Sequence, residues 1–226
     1  NRAGRALTEA FVRRADSGLL LPRMAAVGDL DLNERLGSAL EPLGGGPDLP
    51  PAIDTLTRQM LLAKLITHRY PRDEALSEAE ALRLAGDLAR VIDQMQVEQI
   101  PLTDLAKVDR GDLSAHWDKA FGLFQLLATE WPQVLAKRGQ MDPAERRNHM
   151  LAHVAETWRA NPPARPIIAA GIATTAPAIA RLLRVVSTLP KGMVVFPHLD
   201  LTMPDAEWDR LGPHEADPVT GRRARS

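Results

Sequence analysis

The stretch from Pro166 to Asp200, PIIAAGIATTAPAIARLLRVVSTLPKGMVVFPHLD, constrains the fold most. An apolar run, Ile167 to Ala170, ends at Gly171. A Thr174-Thr175 pair and a helical pattern follow. A second apolar run, Met193 to Phe196, is closed by Pro197 and Asp200. That order predicts a β-turn-α-β unit with two buried strands lying parallel. Units of this kind carry their functional loops at the carboxyl ends of the strands, here Gly171–Thr175 and Pro197–Asp200. The first loop is shaped like a phosphate-binding turn but lacks the lysine that holds a triphosphate.

Helical patterns fill most of the remaining chain. Ala3, Ala6, Leu7, Ala10 and Phe11 recur at helical spacing, with arginines on the other faces. Leu19 to Val27 reads as a strand, with Pro22 marking an edge or bulge. Leu30 to Leu40 reads as a short helix, and Pro42 to Pro51 as a loop. Ile53 to Tyr70 is apolar over a broad arc. Ser77 and Glu80 form a capping-box pattern opening a helix to Val97, with Leu82, Ala85, Leu88, Ile92 and Met95 as its buried stripe. Asp112 opens a long helix carrying Leu113, Trp117, Phe121, Phe124, Ala128 and Trp131. Pro132 is expected to kink or restart it, since an interior proline costs about 3 kcal/mol. Asp142-Pro143 starts another helix, as N-cap and N1, that buries Met150, Val154 and Trp158. A short helix over Asp205 to Leu211 precedes a polar tail.

The expected fold class is α/β: a parallel sheet interrupted by a large all-helical insertion. The expected division is 1–41 and 163–211 for the two parts of the α/β domain, 51–162 for the insertion and 212–226 for the tail. The opening at Asn1 inside a helical pattern and the basic close at Arg222 to Ser226 read as a segment of a longer protein. With 226 residues and 45% hydrophobic content there is material for a real core.

Several chemistries lack their residues. The chain has no cysteine, which removes disulfides, thiolate metal sites and cysteine nucleophiles. GxxxxGK[ST] and GxSxG do not occur. No Asp-x-Lys or Glu-x-Lys step occurs, as a two-metal nuclease would need. His149 and His153 have the spacing of a helical zinc pair, but Met150 stands where the zincin glutamate would be. No apolar run approaches the 18 or so residues of a membrane span. Net charge is −1, against a whole-surface nucleic-acid binder but compatible with a local basic groove. Arg2, Arg5, Arg13 and Arg14, with Arg181 and Arg184, are candidates for phosphate-backbone contacts, or are simply solvated helix faces. Thr174 and Thr175 offer hydroxyls and amides to a phosphate at a helix N-terminus, or cap that helix. No catalytic, cofactor or metal residue is assigned.

An ordered set of segments resembles the N-terminal part of the AddB family, alphaproteobacterial type. They are NRAGRALTEAFVRR (1–14), LLLPRMAAVGDLD (19–31), LPPAIDTLTRQMLLAKLI (49–66), LARVIDQMQVE (88–98), HWDKAFGLFQLLATEWPQVLAKRGQMDPAERRN (116–148), IIAAGIATTAPAIARLL (167–183) and VVFPHLDLTMPDAEWDRLGPHE (194–215). The resemblance covers nearly all of the chain. It implies a degenerate RecA-like, P-loop NTPase-like domain with a helical insertion, from a cytoplasmic helicase–nuclease subunit that resects double-strand DNA breaks. In that family this region handles DNA without being the motor, and its partners are DNA and an AddA-like helicase subunit. The iron–sulfur cluster and the Mg-dependent nuclease belong to the family's C-terminal region, so neither cofactor is expected in this segment. By the same resemblance Asn1-Arg2 falls near a DNA-contact motif, and Arg2, Arg5, Thr174 and Thr175 are the expected nucleic-acid-binding residues. Thr174-Thr175 falls near the ATPase acidic motif, without its Asp-Glu pair. Two other readings stay open: an α/β nucleotide or small-molecule binding domain completed by other segments, and an interaction module docking the partner subunit.

Overall fold

A computed structural model describes residues 2–15, 18, 20–24, 27, 48–69, 76–107, 115–174, 176–197 and 199–211. The expected helix over 30–40, most of the 42–51 loop, Asp112 and the 212–226 tail lie outside these. Helix α1 spans Arg2–Arg14, α2 Thr55–Arg69, α3 Glu78–Val97, α4 Ala115–Arg138 and α5 Pro143–Ala160. A 3-10 turn, Leu102–Lys107, joins α3 toward α4. Strand β1, Ile167–Ala170, helix α6, Pro177–Thr188, and strand β2, Gly192–Val195, form the β-α-β unit, and α7 spans Asp205–Arg210. The protein is mostly helical with a small parallel sheet, an α/β fold carrying a helical insertion.

The strands pair parallel, with Ile167 opposite Gly192 and Ala170 opposite Val195. Both were expected to be buried on two faces, and the structure corrects this. Ile167, Ala169 and Val194 face the core, whereas Ile168, Met193 and Val195 are exposed. Among the described residues α6 is the helix that packs on the pair, and it covers one face. Gly192 is required by close approach: a Cβ there would lie 1.8 Å from the Val186 carbonyl oxygen. The strand expected over 19–27 is absent at 20–24, which adopt no regular structure and leave Leu20 fully in solvent. Pro22 has no amide hydrogen to give a ladder there.

Among the described residues two apolar cores form. In the first, Leu62 and Ile66 of α2 meet Ala85, Leu88 and Ile92 of α3 and Leu127 and Trp131 of α4. The Ser77–Glu80 capping box is complete and starts α3 as expected. Its inward stripe begins at Ala81, while Leu82 is exposed. Among the described side chains of α4 the buried positions are Leu123, Leu126, Leu127, Trp131 and Leu135, whereas the expected Phe124 and Ala128 are half-buried; the expected Leu113, Trp117 and Phe121 side chains lie outside the described residues. Helix α4 runs through Pro132 without a break in its assigned span. Packing of Trp131 one residue before offsets the missing hydrogen bond, since losing such a side chain costs about 3–5 kcal/mol. In the second core, Leu151, Val154, Ala155 and Trp158 of α5 pack on α6 and the sheet. Leu151 is buried there, whereas the expected Met150 is only half-buried.

A polar cluster joins the two cores. A parallel bridge at Ala52 and Met141 sets the entries to α2 and α5 side by side, with Ile53 N–H donating to Met141 O at 2.9 Å. That brings Arg58 to Asp142. Arg58 Nη1 donates to Asp93 Oδ1 at 2.8 Å, and its Nε lies 2.9 Å from Asp142 Oδ1. Trp131 Nε1 and Gln96 Nε2 donate to Asp142 Oδ2 at 2.9 and 3.0 Å. Asp142 occupies the N-cap position as expected, but its carboxylate makes no cap hydrogen bond, because these partners hold it.

Candidate functional site

The crest of the β-α-β unit is built by two strand ends. After β1 the chain turns at Gly171 in the left-handed region, φ 68°, while its N–H donates to Val195 O at 2.9 Å. Gly171 carries that conformation without a Cβ penalty. After β2, Phe196 and Pro197 lead to the Leu199–Met203 turn and α7. Between the two loops lies an open cleft of about 830 Å³. Ile172 and Thr174 line one side, and Phe196, Asp200, Met203 and Trp208 the other. Its position outside the carboxyl ends of parallel strands is where α/β sheets bind ligands.

Among the described residues, few polar side chains line the cleft. Asp200 Oδ1 accepts from the Thr202 hydroxyl at 2.7 Å and the Thr202 N–H at 2.9 Å. Those two bonds, the hydroxyl first, hold the Asp200 carboxyl below the usual aspartate value. It therefore stays anionic at neutral pH and disfavours a phosphate beside it. Thr174 is exposed, and its hydroxyl accepts from Ala176 N–H at 3.2 Å. That bond reaches the N-cap residue, not the N2 or N3 amide, and α6 has no side-chain cap. The expectation that Thr174 caps the helix is not met: its bond closes a local turn, and Pro177 stands at N1. Thr175 lies outside the described residues.

The arginines are elsewhere. Arg5 is exposed on α1 and does not line the cleft, and Arg2 lies on the same helix. Arg13 and Arg14 close the last turn of α1, where positive charge suits the helix C-terminus. On α6, Arg181 donates to the side chain of Gln99 at the end of α3, and Arg184 is exposed. His149 is exposed and His153 half-buried on α5, and among the described residues no group of three His, Asp or Glu could hold a metal. Trp131 and Trp158 are core residues, as expected.

Phe196 and Trp208 were missed in the sequence as site residues. Both are large aromatics left 50% and 37% exposed at the crest, enough to present a ring face. The available signal was position: both follow the second strand, on the loop side of the unit. No helix among the described residues is long and apolar enough to cross a membrane. Comparison with family models, curated proteins and solved structures gave no match to this chain.

Proposed function

We propose that this chain is a noncatalytic, RecA-like region of a cytoplasmic DNA double-strand-break repair helicase–nuclease subunit, handling DNA beside an AddA-like partner. The observation that carries the reading is the crest cleft: a nucleotide-enzyme position furnished with Phe196, Trp208 and Thr174 in place of a triphosphate lysine and an acidic pair. The ordered resemblance across the sequence supports the same assignment. Exposed aromatic rings suit unstacked bases, each stack being worth about 1–3 kcal/mol. Asp200 steers phosphates away from the cleft, so backbone contacts fall to arginines such as Arg5 and Arg184. Anisotropy of a fluorescent DNA with a single-stranded end tests this. Trp208→Ala is expected to weaken binding by roughly fivefold to a hundredfold. Unchanged binding, or efficient ATP hydrolysis by this chain alone, would contradict it.

The second reading, a small-molecule binding domain, draws on the same aromatic lining with the Asp200 carboxylate. It predicts saturable binding of a planar organic ligand that Asp200→Asn weakens while DNA has no effect.

A further inference from the structure

The crest cleft has a charge pattern that base stacking does not use. Of the described residues lining it, Asp200 alone carries a formal charge, and neither lysine nor arginine is among them. Thr202 fixes that anion: its hydroxyl and its N–H both donate to Asp200 Oδ1, and Oδ2 is the oxygen that Thr202 leaves open. The surroundings have the same sign. Over residues 199–211 the carboxylates of Asp200, Asp205, Glu207 and Asp209 stand against the single guanidinium of Arg210, a formal charge of −3 on exposed side chains. The excess is local, since the whole chain carries −1.

A fixed carboxylate beside two exposed aromatic rings and an apolar wall matches one side chain above others. An arginine guanidinium is planar and weakly hydrated, so it stacks on an aromatic face while donating to a carboxylate. Its aliphatic stem covers apolar surface such as Leu199 and Met203. A lysine ammonium is a strongly hydrated point charge and gains less from the rings. The cleft, about 830 Å³, is far larger than one guanidinium and has room for the side chain with its neighbours in a peptide. We infer that the crest is a docking site for an arginine side chain carried on a segment of a partner protein. The guanidinium stacks on Trp208 and Phe196 and donates to Asp200, and the acidic surface of α7 steers the basic segment inward. This inference uses the crest cleft without resting on the nucleic-acid reading.

The indole N–H signals of the 15N-labelled chain test it. The chain has four tryptophans, and the Trp208 signal is the one that Trp208→Phe removes. Acetyl-Gly-Arg-Gly-amide is titrated beside the same peptide carrying neutral citrulline for arginine, at fixed ionic strength. The arginine peptide is expected to shift the Trp208 signal saturably, with affinity roughly tenfold above that of the citrulline peptide. Asp200→Asn, on an exposed side chain, is expected to erase most of that preference while the other indole signals stay in place. No saturable shift, equal affinity for the two peptides, or a preference that Asp200→Asn leaves unchanged overturns the arginine site. Methylguanidinium binding as tightly as the arginine peptide assigns the cleft to a free organic cation and overturns the protein source. Single-stranded oligothymidylate titrated in the same way reports on the nucleic-acid reading separately: its failure to shift Trp208 counts against that reading and leaves the arginine result standing.

Discussion

Asp142 concentrates the energetics of the polar cluster on one side chain. It is 1% exposed and faces Arg58, Trp131 and Gln96, three groups from three helices. Replacing it by Ala leaves the Arg58 guanidinium buried without that counter-charge, so chemical denaturation is expected to show a loss of about 3–5 kcal/mol. Arg58→Met in the Asp142→Ala background should recover part of that loss, since a buried pair is costly mainly when broken. Glu145, one turn along, behaves differently. Burial first, then the Asp142 carboxylate, lift its pKa above the ordinary glutamate value, against a pull from His149. The folded state therefore holds the Glu145 proton more tightly than the unfolded state. Its ionisation opposes folding above the raised folded value, and the penalty vanishes below the ordinary unfolded value. Glu145→Gln is expected to stabilise the protein at neutral pH and to make no difference in acid, as read from denaturation midpoints across pH. Gln99 completes the residue scale. Helices α3 and α4 end in the same motif, with Gly139 at φ 60° closing α4 and Gln99 at φ 55° closing α3. Gly is the residue that motif favours, but Gln99 also receives Arg181, so it trades backbone ease for a tie to α6.

Among the elements, the β-α-β unit has the least tolerance. The C-terminal turn of α6 lies directly on β2, where Gly192 N–H donates to Leu189 O at 3.0 Å. Gly192→Ala places a methyl into the Val186 carbonyl and is expected to cost at least about 1–3 kcal/mol, with faster exchange of the Ile167 and Gly171 amides across the strand pair. This unit was legible in the sequence because apolar runs, Gly171 and Pro197 all punctuate it at the right spacing. The capping box of α3 was legible for the same local reason. The stripe of α4 was not, since a helix rich in Leu, Phe and Ala all round leaves its inward face to be chosen by α2 and α3. Nor was the destination of Asp142 legible. Its N-cap position is local, whereas its partners come from residues 58, 96 and 131 through a bridge that no spacing announces. The half-covered sheet was missed because an apolar run reads the same whether one face or two are buried. The crest aromatics were missed because a Phe after a strand and a Trp in a short helix both look like core residues.

At the scale of the whole molecule, a helical block and an α/β unit meet through α5, which joins the polar cluster at its start and packs on α6 along its length. The net charge of −1 gives no general attraction for a polyanion. Any DNA affinity must therefore come from a few local arginines and the crest aromatics, a mixed origin that salt dependence separates. The deciding measurement is the affinity of this chain, alone and with an AddA-like subunit, for a fluorescent DNA with a single-stranded end over a salt series. A log–log slope of roughly −2 to −4, with residual binding at high salt that Trp208→Ala removes, is the predicted result. No DNA binding in either setting, while a protein complex still forms, would contradict the DNA-handling account and leave a docking module for the partner subunit.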